Sequence, residues 1–273
     1  MKILIYLDSE SYHHPPVLMG KIIAKATDGE INVLVIIPKS GHLENGESVA
    51  AQAKLDLEGL SPQFIIKQGS SGEVIEEELD REQYQLVIVN ADRIHRLRKS
   101  VDVDPILIEQ SAISLLITQN TKPKINNILL CTGCKEDDYS LITQASNLAS
   151  DLGSSVTLLH VFPGAVPSMY TGLDQIDETV EEILQTDTLF AQYLRRGVKI
   201  LNDAGIESEV KIRHGIPIEE IIRETQLINY DLVVIGSSRV HEGLKEMLMG
   251  NLAVKVIDQV ELPVLVIGSR ILD

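Results

Sequence analysis

A chain of 273 residues, 44% of them hydrophobic, is long enough for two domains with separate cores, and it contains no apolar run near the ~20 residues of a membrane span. The formal charge of -16 is spread over both halves, with 12 basic and 18 acidic side chains in the first 122 residues and 12 and 22 in the rest. That balance, with no Trp and three Phe, excludes a general affinity for nucleic acid or anionic lipid.

In chain order, Val/Ile/Leu runs predict strands near 2–7, 31–37, 63–67, 85–89 and 113–118, then near 126–131, 155–161, 207–212, 231–235 and 263–268. The runs are nearly continuous, as in Leu34-Val35-Ile36-Ile37 and Leu232-Val233-Val234-Ile235, which is the pattern of parallel strands buried on both faces. The first run meets Asp8 too soon for a signal peptide, so a cytoplasmic protein is expected. Amphipathic stretches between the runs predict helices near 45–59, 139–152, 176–203, 217–228 and 243–259. Pro217 suits a first helical turn. Asp177, Glu178, Glu181 and Glu182 suit the start of the long acidic helix 176–203.

The two halves repeat. Ile3-Leu4-Ile5 matches Ile128-Leu129-Leu130, Gly69-Ser70-Ser71-Gly72-Glu73 matches Gly215-Ile216-Pro217-Ile218-Glu219, and Tyr84-Gln85-Leu86-Val87-Ile88 matches Tyr230-Asp231-Leu232-Val233-Val234. A repeat this long means two similar domains, taken as 1–120 and 125–273 and joined by Thr121-Lys122-Pro123-Lys124. Five parallel strands with crossover helices make each an open, doubly wound α/β domain with helices on both faces, whose ligands bind beyond the carboxyl ends of the strands. After the fourth strand the first half continues Asn90-Ala91-Asp92-Arg93, whereas the second continues Gly236-Ser237-Ser238, then Gly243 and Gly250-Asn251.

The second half resembles the universal stress protein family in Val233-Val234-Ile235-Gly236, Gly243-Leu244-Lys245, Leu248-Met249-Gly250-Asn251-Leu252-Ala253 and Leu262-Pro263-Val264-Leu265-Val266. The first half resembles it more weakly, so the chain looks like a tandem, two-domain member. The resemblance implies a sheet order of 3-2-1-4-5 in each domain and a binding or regulatory role without catalysis. It also implies pairing of last strands, 113–118 with 263–268, as an internal pseudo-dimer, with a homodimer and an unnamed regulatory protein as further partners. Nucleotide-binding members carry Gly, two residues, Gly, nine residues, Gly, then Ser or Thr, since glycines let backbone N–H groups approach phosphates. This chain departs from the pattern: Arg239 stands at the second glycine, ten residues separate it from Gly250, and Asn251 closes the loop. The family's acid after strand one aligns with Gly133, whereas the first half keeps Asp8-Ser9 but lacks the glycines. An ATP or ADP site is therefore expected in the second domain, from Thr132, Gly133, Val161, Gly236, Ser237, Ser238, Gly243, Gly250 and Asn251. The alternative is that these glycines only make turns and tight packing, leaving a ligand-free scaffold.

Other patterns carry less. Cys131-Thr132-Gly133-Cys134 ends a strand before a helix, where a helix start lowers thiol pKa, so a redox-responsive pair is the rival reading to two small packing residues. Arg93, Arg96 and Arg98 form a basic cluster that could bind an anion, pair with acidic groups, or be solvated. The adjacent His13 and His14 point apart on most backbones, so no metal site is read there, and His160 is read as structural. No nucleophile–base pair or paired carboxylates stand out, the acids of the second half are read as solvent-facing, and no obligatory cofactor or enzyme activity is expected.

Overall fold

The computed structural model describes residues 1–91, 113–134, 138–163, 180–236 and 252–268. Its contacts divide the chain into two units, Met1–Lys124 with Glu261–Asp273, and Ile125–Val260.

The first unit alternates β1 (Lys2–Asp8), α1 (His14–Thr27), β2 (Glu30–Ile37), α2 (Leu43–Asp56), β3 (Gln63–Gln68), α3 (Ser71–Arg81), β4 (Leu86–Asn90) and β5 (Ser114–Thr118). The strands lie in the order β3-β2-β1-β4-β5, all parallel. Ile3, Leu4 and Ile5 are fully buried, as a central strand packed on both faces requires. Pro15 and Pro16 open α1, where missing N–H groups cost nothing. Asp28 closes it in a left-handed conformation, its N–H donating to Ala24 O. Gly20 lets α1 lie close on the sheet, since a Cβ there would meet Ile5 Cδ1 at 2.4 Å. A sixth strand, labelled β10 (Val264–Ile267), pairs antiparallel with β5, Val264 opposite Ile117 and Val266 opposite Leu115. The pairing expected between strands 113–118 and 263–268 is therefore present.

The second unit runs β6 (Asn127–Thr132), α4 (Asp138–Leu152), β7 (Ser155–Pro163), α5 (Val180–Gln185), α6 (Leu189–Asp203), β8 (Ser208–Gly215), α7 (Pro217–Leu227), β9 (Leu232–Gly236) and α8 (Leu252–Gln259). Its strands lie parallel in the order β9-β6-β7-β8, which repeats β4-β1-β2-β3.

Two expectations are corrected. The acidic stretch does not make one long helix: among the described residues it forms α5 and α6, with a break between Gln185 and Leu189. Thr188 caps α6 by accepting the N–H of Ala191 at 3.2 Å. Arg195, in the second turn of α6, donates to the carbonyls of Leu184 and Thr186, which the end of α5 leaves without helical partners. Asp177 and Glu178 lie outside the described residues. The second correction concerns acids read as solvent-facing: Glu220 is buried and Glu224 is fully buried, as is Glu78 in the first unit.

These glutamates organise matching networks. In the second unit Glu224 Oε1 accepts from Lys211 Nζ at 2.8 Å and Tyr230 OH at 2.9 Å, and Oε2 accepts from Arg213 at 2.5 Å. In the first, Glu78 Oε1 accepts from Tyr84 OH at 2.9 Å and Arg81 at 3.0 Å, while Lys67 Nζ stands 3.5 Å from Oε2. Asn32 Nδ2 donates to Tyr84 OH at 2.8 Å. Burial alone would raise the Glu224 carboxyl, but the hydrogen bonds from Lys211, Arg213 and Tyr230 outweigh it and hold the group below the usual carboxylate range. A depressed folded pKa contributes stability that is complete above the unfolded value of about 4.3 and disappears as pH falls through the folded one. Glu224→Ala should cost about 3 kcal/mol or more in urea unfolding at pH 7, because two cations lose their buried counter-charge. Glu224→Gln should flatten the acid limb of stability against pH; an unchanged limb would show that another carboxylate governs it.

Candidate functional site

In the second unit the strand order turns back at β6, with β7 on one side and β9 on the other, so the crevice between the carboxyl ends of β6 and β9 is the topological switch point. Thr132 ends β6 and Gly236 ends β9, each one residue past the registered pair Cys131–Ile235. A Cβ on Gly236 would stand 3.3 Å from Leu141 Cδ2, so the residue's smallness sets how closely α4 approaches β9. Val161 is half-buried on β7 beside Arg213 of β8. Ser237, Ser238, Gly243, Gly250 and Asn251 lie outside the described residues, as do Arg239 and the cluster Arg93, Arg96 and Arg98.

The end of β6 is a closed polar cluster. Asp138, in the first turn of α4, accepts on one oxygen, Oδ2, from the Gly133 N–H at 2.8 Å and from the Thr132 hydroxyl at 3.0 Å. The same hydroxyl accepts the Cys134 N–H at 3.1 Å and lies 2.8 Å from Tyr193 OH. A threonine hydroxyl has one proton, and here it goes to Asp138. Tyr193 must therefore donate, so the chain reads Tyr193 to Thr132 to Asp138. Burial, foremost, pushes the Tyr193 phenol far above its ordinary range, which keeps it a donor.

The strand-end backbone is fixed from the other side by His160, buried on β7. Its Nδ1–H donates to Thr132 O at 2.9 Å, because a carbonyl only accepts, and burial holds the ring below the ordinary histidine range. Two of the three phenylalanines gather around it: Phe162 lies edge-on at 4.8 Å and Phe190 tilted at 4.9 Å. His214 of β8 stacks on Phe162 at 5.3 Å. Tyr139 stacks on Tyr193 at 4.8 Å, with the Arg196 guanidinium 4.1 Å from the Tyr139 ring centre. Of the residues named from the sequence, Thr132, Gly133, Val161 and Gly236 lie among the described residues of this region, and the sequence did not single out their neighbours Asp138, Tyr139, Tyr193 and Arg196. Asp138 carried a usable signal as an acid in a first helical turn, whereas Tyr193 lies 61 residues from Thr132 with no local pattern to mark it.

In the first unit Asp8 and Ser9 are buried at the end of β1, where Asp8 Oδ1 accepts the Glu10 N–H at 2.6 Å in a local turn. His13 turns to Ser11 Oγ at 2.8 Å and His14 to Asp56 at 3.7 Å, so the adjacent histidines do point apart. Among the described residues no group of three or more His, Cys, Asp or Glu side chains could hold a metal ion. No helix among them is long and apolar enough to cross a membrane.

The cysteine pair does not sit in a thiolate-stabilising environment. Both thiols are free, and Cys131 is buried. Burial pushes Cys131 up to about 12; burial and the nearby Asp138 carboxylate push Cys134 up to about 12 as well. The expected lowering by the helix start is thus reversed. A raised thiol pKa contributes stability that is complete below the unfolded value of about 8.5 and is lost as pH rises from there toward 12. Urea stability should fall across that alkaline window, and less so in Cys131→Ala. Both thiols should react slowly with a disulfide reagent at pH 7.5 until urea unfolds the chain; fast reaction in the native protein would contradict this burial.

The pattern of the universal stress protein family matches residues 124–268. Universal stress protein YxiE of Bacillus subtilis is 27% identical over 151 residues, covering 52% of this chain and 98% of that protein. Universal stress protein MJ0531 of Methanocaldococcus jannaschii is 25% identical over 153 residues, covering 55% and 86%. Two solved structures extend the likeness in fold to nearly the whole chain. A putative universal stress protein from Pseudomonas aeruginosa superimposes with a TM-score of 0.68 at 20% identity, covering 98% of this chain and 92% of its own. A universal stress protein from Archaeoglobus fulgidus gives 0.61 at 16%, covering 99% and 97%. With more than half its length matched, and with the β/α order that these strands and helices display, the chain belongs to the universal stress protein family.

Proposed function

We propose that the protein acts by binding and regulation in the cytoplasm, and that its second repeat, read as 125–273, holds an adenine nucleotide, ATP or ADP, at the crevice between β6 and β9. The observation that carries this reading is the switch point itself. Thr132 and Gly236 face each other across adjacent strand ends, and the segment after Gly236 brings the glycines from Gly243 to Gly250. Backbone N–H groups in such a segment suit phosphate oxygens, and Gly236 admits no side chain between strand and ligand. The first repeat, read as 1–120, has no comparable glycines after β4 and serves in this reading as a structural and interaction partner.

One observation favours a second reading, a scaffold without nucleotide: the Gly133 N–H and the Thr132 hydroxyl are already satisfied by Asp138 and Tyr193. The two readings separate by calorimetry of the full chain with ATP, alongside native mass spectrometry of the purified protein for co-purified nucleotide and for chain association. The nucleotide reading expects saturable binding in the micromolar to millimolar range, weakened tenfold or more by Gly250→Asp, whose charge opposes phosphate, about 1.4 kcal/mol. Absence of binding at millimolar ATP would leave the scaffold.

A further inference from the structure

The hydrogen bonds at the end of β6 carry a consequence for how any ligand enters there. The Gly133 N–H sits at the carboxyl end of a strand bordering the switch point, where a ligand would meet it. It is held by a carboxylate from the protein's own chain, five residues away on the first turn of α4. The same carboxylate oxygen holds the Thr132 hydroxyl proton, and Tyr193, arriving from α6, orients that hydroxyl. The cluster therefore joins three elements, β6, α4 and α6. One fixed anion satisfies two donors that a ligand oxygen would otherwise use.

Resting on the nucleotide reading, we propose that Asp138 is an internal latch: its carboxylate competes with the ligand for the Gly133 N–H and the Thr132 hydroxyl, and nucleotide binds only when it withdraws. A site open for a fraction of the time binds with an affinity reduced by that fraction. The charge adds to the competition, since a ligand phosphate or hydroxyl must displace an anion already held by two charge-assisted bonds, of 2.8 and 3.0 Å. Tyr193 is a positioning residue in this scheme. By donating to Thr132 it directs the threonine proton to Asp138, so its loss weakens the latch without removing the competing charge.

Two measurements on the full chain test the proposal. The first needs no ligand: amide hydrogen exchange at Gly133 should be slow in the wild type and at least tenfold faster in Asp138→Ala. The second is calorimetry with ATP, where Asp138→Ala should bind about tenfold more tightly than wild type, with Asp138→Asn and Tyr193→Phe between them. Asp138→Asn keeps the shape of the side chain and guards against a folding defect in the alanine variant, and thermal unfolding of each variant checks that the fold is intact. Fast exchange at Gly133 in the wild type would overturn the latch whatever the calorimetry gives. Slow exchange with equal or weaker ATP binding by Asp138→Ala would overturn it while leaving the nucleotide reading standing. If the exchange contrast is seen and neither protein binds ATP, the nucleotide reading falls and the role proposed for the latch falls with it.

Discussion

Each repeat depends on a glutamate taken entirely out of water on the helix between its third and fourth strands. A buried carboxylate is tolerable only when cations and hydroxyls surround it, and here most of them come from neighbouring elements of the chain. Glu224 draws on two side chains of β8 and on the tyrosine just before β9; Glu78 draws on β3 and the tyrosine before β4. Because the partners lie on different elements, the charge can be satisfied only when strand three, the helix and the entry to strand four are in register together. The same requirement built twice is a physical reason for the two units to share one strand order.

The repeats do not meet it equally. Aligning Gly69 with Gly215 sets Lys67 opposite Arg213 and Ile65 opposite Lys211. The second unit therefore surrounds its carboxylate with an arginine and a lysine. The first has one lysine at that end, helped by Arg81 from the helix itself, and Glu78 Oε2 is buried without a hydrogen bond. Divergence between the halves has thus touched the interior as well as the loops. It follows the same direction as the divergence at the strand ends, where the second unit carries the denser set of polar contacts among the described residues.

The strands were legible because full burial on both faces writes itself as an unbroken apolar run, and every expected run became a strand within two residues at either end except 207–212, which runs three residues further, to Gly215. Glu224 was not legible. Glutamates at 219, 220 and 224 share one short helix, and only the cations of β8, non-adjacent in sequence, distinguish the buried ones. The break between α5 and α6 was similarly hidden, since the amphipathic pattern runs through it and the stop is made by Thr188 and Arg195 rather than by Gly or Pro. At the candidate site, Thr132 and Gly236 came from the resemblance to the family's glycine pattern, a local signal. Asp138 and Tyr193 came from tertiary approach, which a single sequence does not display.

The antiparallel partner of β5 has a consequence for synthesis. β5 is made roughly midway through the chain, and its second edge is covered only by β10, which leaves the ribosome after every other described strand. During that interval Leu115, Leu116 and Ile117 form an open, uncharged edge, the kind of template that recruits strands from other chains. The nascent first unit thus spends the whole translation of the second with an unsaturated ladder, and closing it joins residues distant in sequence, a slow kind of contact. A need for chaperones during synthesis, and a loss of solubility on trimming the last strand, are therefore the outcomes expected of the topology more than of any single side chain.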